Sequence, residues 1–292
     1  MLINEAFVFY MESVEFEADV YRKPNRALMM FKSHEGYRPH YFSHKSTFFL
    51  NKEKGNAAII KKTYVEEESM EKDIATTLKH PNIVETSKFE IWNEEYLFLF
   101  SEYLDVCLID TCKKFDEKDL KNLLRDILKG LKYMHDNYIV HLDLKIDNIC
   151  GKTQQDGTII YKIIDFNLAH DLRSDLCPPG NKYDEESIFG TVAYMSPEIT
   201  YGWTFGYNTD MWSVGMISYY IARKKIMFLC RDEETTERKY RKFLKKPIIR
   251  KLSKHSEELK DFIEKCLVID MCERMSSENA LKHPFITKEI NE

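Results

Sequence analysis

Four residues supply the groups that phosphoryl transfer from a nucleotide requires. Asp143, Lys145 and Asn148 lie in the run Val140-His141-Leu142-Asp143-Leu144-Lys145-Ile146-Asp147-Asn148, and a second carboxylate, Asp165, follows the apolar Ile163-Ile164. One carboxylate can accept or orient a hydroxyl proton. The other, with an amide oxygen, can hold Mg²⁺, and an ammonium can offset charge on the moving phosphoryl group. A capped turn followed by an unrelated buried strand would read similarly over one segment. Two such segments in register are far less common.

These side chains need elements to hold them. Leu120, Leu123, Leu124, Ile127, Leu131 and Met134 recur at helical spacing and predict a helix over Phe115 to Tyr138 that delivers the chain to His141. Asp116 is placed to cap it, with Asp119 at the capping-box position. Thr158 to Ile164 reads as a strand presenting Asp165, after a turn at Gln154 to Gly157. Upstream, Thr47–Leu50 and Ala57–Lys62 read as a strand pair joined by a turn with Gly55, and Tyr96–Phe100 as another strand. Glu66 to Leu78 is charged and weakly helical, and Phe7 to Tyr21 has the partial alternation of a strand or two. Later helices are expected at about Met211–Ala222, Thr235–Leu244, Ser256–Leu267 and Ser277–Leu281. Cys177-Pro178-Pro179-Gly180 breaks any helix in the aperiodic stretch 168–195.

Composition narrows the class. A chain of 292 residues, 43% hydrophobic and 31% charged, can bury a sizeable core. A net charge of −5 gives no global basic field for nucleic acid or an anionic membrane. No run approaches the ~18 apolar residues of a membrane helix, and no basic-then-apolar leader opens the sequence. The seven cysteines are scattered without zinc-site spacing and read as reduced thiols of a cytoplasmic or nuclear protein. The acidic run Asp232-Glu233-Glu234 reads as a solvated loop.

From about Lys61 to Phe285 the chain resembles the eukaryotic protein kinases, on their serine/threonine branch. The resemblance rests on the two segments above, on Gly190-Thr191-Val192-Ala193-Tyr194-Met195-Ser196-Pro197-Glu198, on Asp210-Met211-Trp212-Ser213-Val214-Gly215, on Arg274 and on His283-Pro284-Phe285, all in the family's order. Small-molecule kinases with an Asp…Asn…Asp core would not be expected to carry the 190–198 segment, the 210–215 motif and Arg274 together. The implied fold is α+β and bilobal, a small β-rich N-lobe and a larger, mainly helical C-lobe. Residues 1–40 would be an extension or the start of the N-lobe, 41–102 the N-lobe, 103–106 the hinge and 107–292 the C-lobe.

The resemblance implies roles. Asp143 would be the catalytic base, Lys145 the phosphate-stabilising cation, and Asn148 and Asp165 the Mg²⁺ ligands. Lys61, chosen over Lys62 by aligning Gly55, would grip the ATP phosphates, with Glu71 as its ion-pair partner. Two solvated lysines at a strand end, and a solvated helix face at Glu71, are the plainer readings. Ser101-Glu102-Tyr103-Leu104-Asp105 would be the hinge, with Glu102 and Leu104 meeting the adenine and small Ser101 gating a back pocket. Asp105 would bind ribose or cap the next helix. Phe48, Ile59 and Cys150 would line the adenine. Thr191 would bridge Asp143 and Lys145, Glu198 would pair with Arg274, and Asp210 would hold the catalytic-loop backbone. The partner would be a protein substrate.

Departures cluster at the nucleotide. The phosphate-covering loop, Tyr41-Phe42-Ser43-His44-Lys45-Ser46, has no glycine, although close backbone approach favours residues without side chains. Phe48 and Ile59 are larger than the usual Val and Ala. Leu142 replaces an Arg that would pair with a phosphorylated activation segment. Asn167 stands where the family has Gly, and Asn tolerates positive φ best among other residues. These departures imply a second class of function, a pseudokinase that scaffolds or inhibits a partner kinase.

Overall fold

The computed structural model describes residues 37–42, 46–51, 55–62, 70–92, 96–174, 194–200, 204–225 and 252–289. The Phe7–Tyr21 strands, the Thr235–Leu244 helix, Cys177–Gly180 and Thr191 lie outside these residues. The chain divides into two compact units, Met1–Lys72 with Glu85–Tyr103, and Asp73–Val84 with Leu104–Glu292. The first is a β-sheet unit and the second is mainly helical, the fold the sequence implies.

The sheet unit is five-stranded and antiparallel: β1 (Arg38–Phe42), β2 (Ser46–Asn51), β3 (Asn56–Lys62), β4 (Thr86–Trp92) and β5 (Tyr96–Glu102), in spatial order β1-β2-β3-β5-β4. Gly55, at φ 63°, takes the left-handed conformation needed before β3. Side chains alternate between faces, so the register sorts them. Ala58 pairs with Phe49 and Phe100, and with Phe98 these form one apolar cluster, flanked by Tyr37 and Tyr96. The opposite face carries the pairs Phe48↔Ile59↔Leu99, Leu50↔Ala57↔Ser101 and Ser46↔Lys61↔Leu97. Residues 97 to 100 are buried throughout, which explains their unbroken apolar run. On the edge strand β4, Lys88 and Glu90 form an ion pair, the charged composition that discourages strand addition.

In the helical unit, the described residues form short α2 (Leu108–Thr111), long α3 (Glu117–Asp136), α4 (Pro197–Thr200), α5 (Tyr207–Arg223), α6 (Glu257–Cys266), α7 (Ser277–Leu281) and α8 (Pro284–Thr287); α1 (Met70–Thr77) precedes them. The Asp116 carboxylate accepts from the Asp119 amide, and the Asp119 side chain accepts from the Asp116 amide, so both halves of the expected capping box form. Such a cap contributes about 1 kcal/mol. The predicted stripe of α3 is buried from Leu120 to Met134. Gly130 lets α3 approach closely: a Cβ there would sit 2.8 Å from the Asn82 carbonyl oxygen. Helix α5 is buried nearly all round, with Trp212 fully enclosed. It ends at Lys224, φ 55°, whose ammonium donates to the Cys112 and Phe115 carbonyls.

Short strands complete the unit. Strands β6 (Val106–Cys107), β8 (Ile149–Thr153) and β9 (Ile159–Ile163) form one antiparallel sheet, while β7 (Ile139–Val140) pairs with β10 (His170–Asp171). The segment before β4 joins this unit, because Ile83 bridges Ile163 and the Asn82 side chain donates to the Tyr161 carbonyl.

Candidate active site

Strand β7 ends at Val140 and the chain turns at once through His141 and Leu142. That turn is held by Asp210, in the first turn of α5. Its carboxylate accepts from the His141 and Leu142 amides, both at 2.9 Å, and is 2.9 Å from His135 Nε2. Burial works against the ionised form, but the hydrogen bond and charge of His135 and the His141 contacts outweigh it and hold this carboxyl below its usual range. Leu142 is left-handed at φ 61°, a conformation costing on the order of 1–3 kcal/mol in a residue other than Gly. The two amide bonds to Asp210 offset that cost.

Beyond the turn, the predicted groups converge. Lys145 Nζ lies 2.8 Å from Asp143 Oδ2. The Asn148 amide nitrogen donates to the same oxygen at 3.0 Å and to the Asp143 carbonyl at 2.8 Å. Asp143 Oδ1 is buried and has no hydrogen-bond partner among the described residues. The Asn148 amide oxygen takes part in neither bond to Asp143.

Asp165 is positioned through its neighbour. The Ile164 amide donates to the Asn148 carbonyl at 3.0 Å, and the Ile164 carbonyl meets His141 Nε2 at 3.1 Å. Since His141 Nδ1 accepts from the Asp143 amide, Nε2 carries the proton. The sequence reading assigned His141 no role, and nothing but its place beside Asp143 could have signalled one. His135 was missed as well, because a His in the last turn of an amphipathic helix carries no distinctive spacing. One expectation is corrected. The left-handed residue after β9 is Asp165, φ 64°, and not Asn167, so Asn167 serves no conformational need for Gly.

The Glu198–Arg274 pair is present and buried. Arg274 donates to both Glu198 oxygens, at 2.6 and 2.9 Å, and to the carbonyls of Asn208, Val268 and Ile269. The Ser213 hydroxyl anchors the Tyr194 carbonyl at 3.0 Å.

The remaining candidates are dispersed over both units. In the sheet unit, Phe48, Ile59, Lys61 and Ser101 occupy register positions on one face, whereas Lys62 belongs to the other. Glu71 is buried in α1; the Lys61 side chain, and hence their pairing, lies outside what is described. Glu102 accepts the Glu85 amide through Oε1, and its own amide and that of Tyr103 are taken by the Glu85 and Gly55 carbonyls. Leu104 takes part in none of these bonds. In the helical unit, Asp105 accepts the Thr153 amide at 2.9 Å. The next helix is capped at Cys107, so Asp105 is not its cap. Burial opposes ionisation of Asp105, but the Thr153 bonds prevail and lower its pKa. Cys150 lies in β8. Of the glycine-free loop, Tyr41 and Phe42 are strand and not loop, and Ser46 opens the next strand.

No group of three or more His, Cys, Asp or Glu side chains among the described residues could hold a metal. Mg²⁺ does not need one, since it is commonly held by one or two protein oxygens with phosphates and water completing the shell. Asn148 and Asp165 are the donor types that fit. No helix among the described residues is long and apolar enough to cross a membrane.

Comparisons with known proteins agree with this geometry. Residues 45–286 match the family model described as a protein kinase domain. The chain is 33% identical over 207 residues to serine/threonine-protein kinase 17A of Oryctolagus cuniculus, covering 70% of this chain and 50% of that one. It is 31% identical over 180 residues to human death-associated protein kinase 2, covering 62% and 47% respectively. The structure of the twitchin kinase region from C. elegans superposes with a TM-score of 0.70 at 26% identity, over 88% of this chain and 46% of that one. The chain thus spans about half the length of these relatives. With the Asp210-braced loop, the Asp143–Lys145–Asn148 cluster and the Glu198–Arg274 lock in place, the chain belongs to the protein kinase family, as a eukaryotic-type serine/threonine member.

Proposed function

We propose that the chain is an active serine/threonine protein kinase that transfers the γ-phosphoryl group of ATP to a protein hydroxyl. The observation that carries this reading is the Asp143 carboxylate. One oxygen is fixed by Lys145 and Asn148, and the other is a buried acceptor with no partner among the described residues. A substrate hydroxyl donating to that second oxygen would be oriented for attack, with its proton passing to Asp143. Lys145 stabilises the carboxylate and, next to it, phosphate charge. Asn148, through its amide oxygen, and Asp165 would hold Mg²⁺. When bound, the metal supplies charge neutralisation on the phosphates.

The nucleotide would be gripped by Lys61, supported by Glu71. Phe48, Ile59 and Cys150 would pack on the adenine, Glu102 and Leu104 would offer it backbone groups, and Asp105 would accept from ribose. By this reading residues 41–102 are the N-lobe, 103–106 the hinge and 107–292 the C-lobe. The five cysteines among the described residues are free thiols, which fits a cytoplasmic or nuclear location.

The test is transfer of labelled γ-phosphate to the protein itself and to a generic basic protein, wild type beside Asp143→Asn. Transfer in wild type that vanishes in the variant is the expected result. No transfer above the variant with either Mg²⁺ or Mn²⁺, in folded protein, overturns it. The second reading, a pseudokinase with a partner kinase, then stands on bulky Phe48 and Ile59 and the glycine-free loop.

A further inference from the structure

Two of the five described cysteines face each other. Cys107 of β6 and Cys150 of β8 are directly opposed in an antiparallel ladder, with Val106 opposite Gly151 beside them. Opposed residues in such ladders have Cα atoms about 4.5–5.5 Å apart, inside the roughly 4.4–6.8 Å that a disulfide spans. Gly151 keeps the strands tight, since a Cβ there would lie 3.2 Å from the Val106 Cβ. Cys107 is exposed and Cys150 partly buried.

We propose that Cys107 and Cys150 are a redox pair, oxidised by a peroxide to a reversible disulfide that clips β6 to β8 and weakens nucleotide binding. The second half of this statement rests on the nucleotide reading given above, in which Cys150 lines the adenine. The two sulfurs differ in a way that assigns their roles. Cys107 is open to solvent, where a peroxide can reach it, and Cys150 is partly covered. The exposed Cys107 thiolate is therefore the attacking sulfur. It takes one oxygen of the peroxide, the O–O bond breaks, and hydroxide leaves as water after protonation, leaving a sulfenic acid. Cys150 sulfur then attacks Cys107 sulfur, the S–O bond breaks, and the Cys150 proton departs with that oxygen as a second water. Two thiols and one hydrogen peroxide give one disulfide and two waters. Among the described residues Cys112 and Cys266 have no cysteine opposite them, and burial raises both thiols.

The test treats reduced protein with hydrogen peroxide and maps the products by peptide mass spectrometry. MgATP affinity is measured by thermal shift before and after oxidation. The expected result is a crosslinked peptide pair containing residues 107 and 150 and 2 Da lighter than the dithiol, reversed by dithiothreitol and absent in Cys107→Ser. Oxidised wild type loses at least about tenfold in MgATP affinity, and peroxide-treated Cys107→Ser does not. Sulfinic acid at Cys107 without the crosslink overturns the pair, and a crosslink that leaves affinity unchanged overturns the switch. If reduced wild type binds no MgATP, the nucleotide reading has failed and the switch with it, while the crosslink decides the redox pair separately.

Discussion

The imidazole of His141 donates from Nε2 to the Ile164 carbonyl, and its other nitrogen accepts the Asp143 amide. One fully buried ring therefore ties the loop carrying Asp143 to the segment carrying Asp165. That ring is one of the links that set the two carboxylates relative to each other.

Replacing that ring should uncouple them. His141→Ala is expected to lower phosphoryl transfer by about ten- to a hundredfold, roughly 1.4–2.7 kcal/mol, the range of one or two buried groups left unpaired. His141→Gln, whose amide can still donate to Ile164, should recover part of the loss. Steady-state transfer rates on proteins shown to be folded by urea titration decide it. Equal loss in both variants would remove the hydrogen bond from the explanation.

The Glu198–Arg274 lock should respond asymmetrically. Removing one partner of a buried ion pair costs about 3–5 kcal/mol. Glu198→Ala strips two of the five bonds, while Arg274→Ala strips all five and leaves three carbonyls without their donor. Urea denaturation should therefore rank Arg274→Ala as the more damaging change. The reverse order would show that the stranded guanidinium, and not the carbonyls, dominates.

Stability should rise with pH as it climbs towards about 6.5. His170 is buried against Phe205, its Nδ1 has no partner among the described residues, and burial lowers its pKa although Asp171 opposes. A histidine titrating lower when folded binds fewer protons folded than unfolded below its free value of 6.5. Its contribution is whole above that value and is lost as pH falls towards the folded pKa. His80 and His283 shift the same way, chiefly through burial. Melting temperatures measured across this window should show the slope, and His170→Phe should flatten it. An unchanged slope would exonerate His170.

Phosphorylation of the activation segment should matter little. By the family resemblance Leu142 stands where an Arg would reach such a phosphate, and its amide donates to Asp210. Ser187, four residues before Thr191, is the candidate phosphosite, and Ser187→Ala is expected to change transfer by less than about tenfold, ~1.4 kcal/mol, in assays with ATP and a basic protein. A larger loss would require another cation to read that phosphate.

The legible parts of the sequence were those fixed by short-range rules. The α3 stripe and its Asp116–Asp119 cap follow from helical spacing, and the catalytic run from residue types at fixed intervals. The Glu198–Arg274 pair, far apart in sequence, was reached only through the family resemblance. What stayed hidden depends on tertiary placement. The His141–Ile164 bond joins two loops whose approach is set by β7, β9 and α5. The left-handed turn at Asp165, expected two residues later, is set by bonds to the Ile164 peptide on both sides. The opposition of Cys107 and Cys150 depends on a two-residue strand that no periodicity can announce.

The segment Asp73–Val84 belongs with residues that follow it much later, since Ile83, Val84 and Asn82 all bond to the Tyr161–Ile163 stretch. During synthesis it leaves the ribosome well before that partner strand exists. Its apolar Ile83 and Val84 must wait, exposed, while the sheet strands around them are made. The chain is thereby committed to a late, long-range closure, the kind of step that slows folding and invites aggregation. A nascent-chain truncation series should show this segment becoming protease-resistant only once residues beyond Ile163 have emerged.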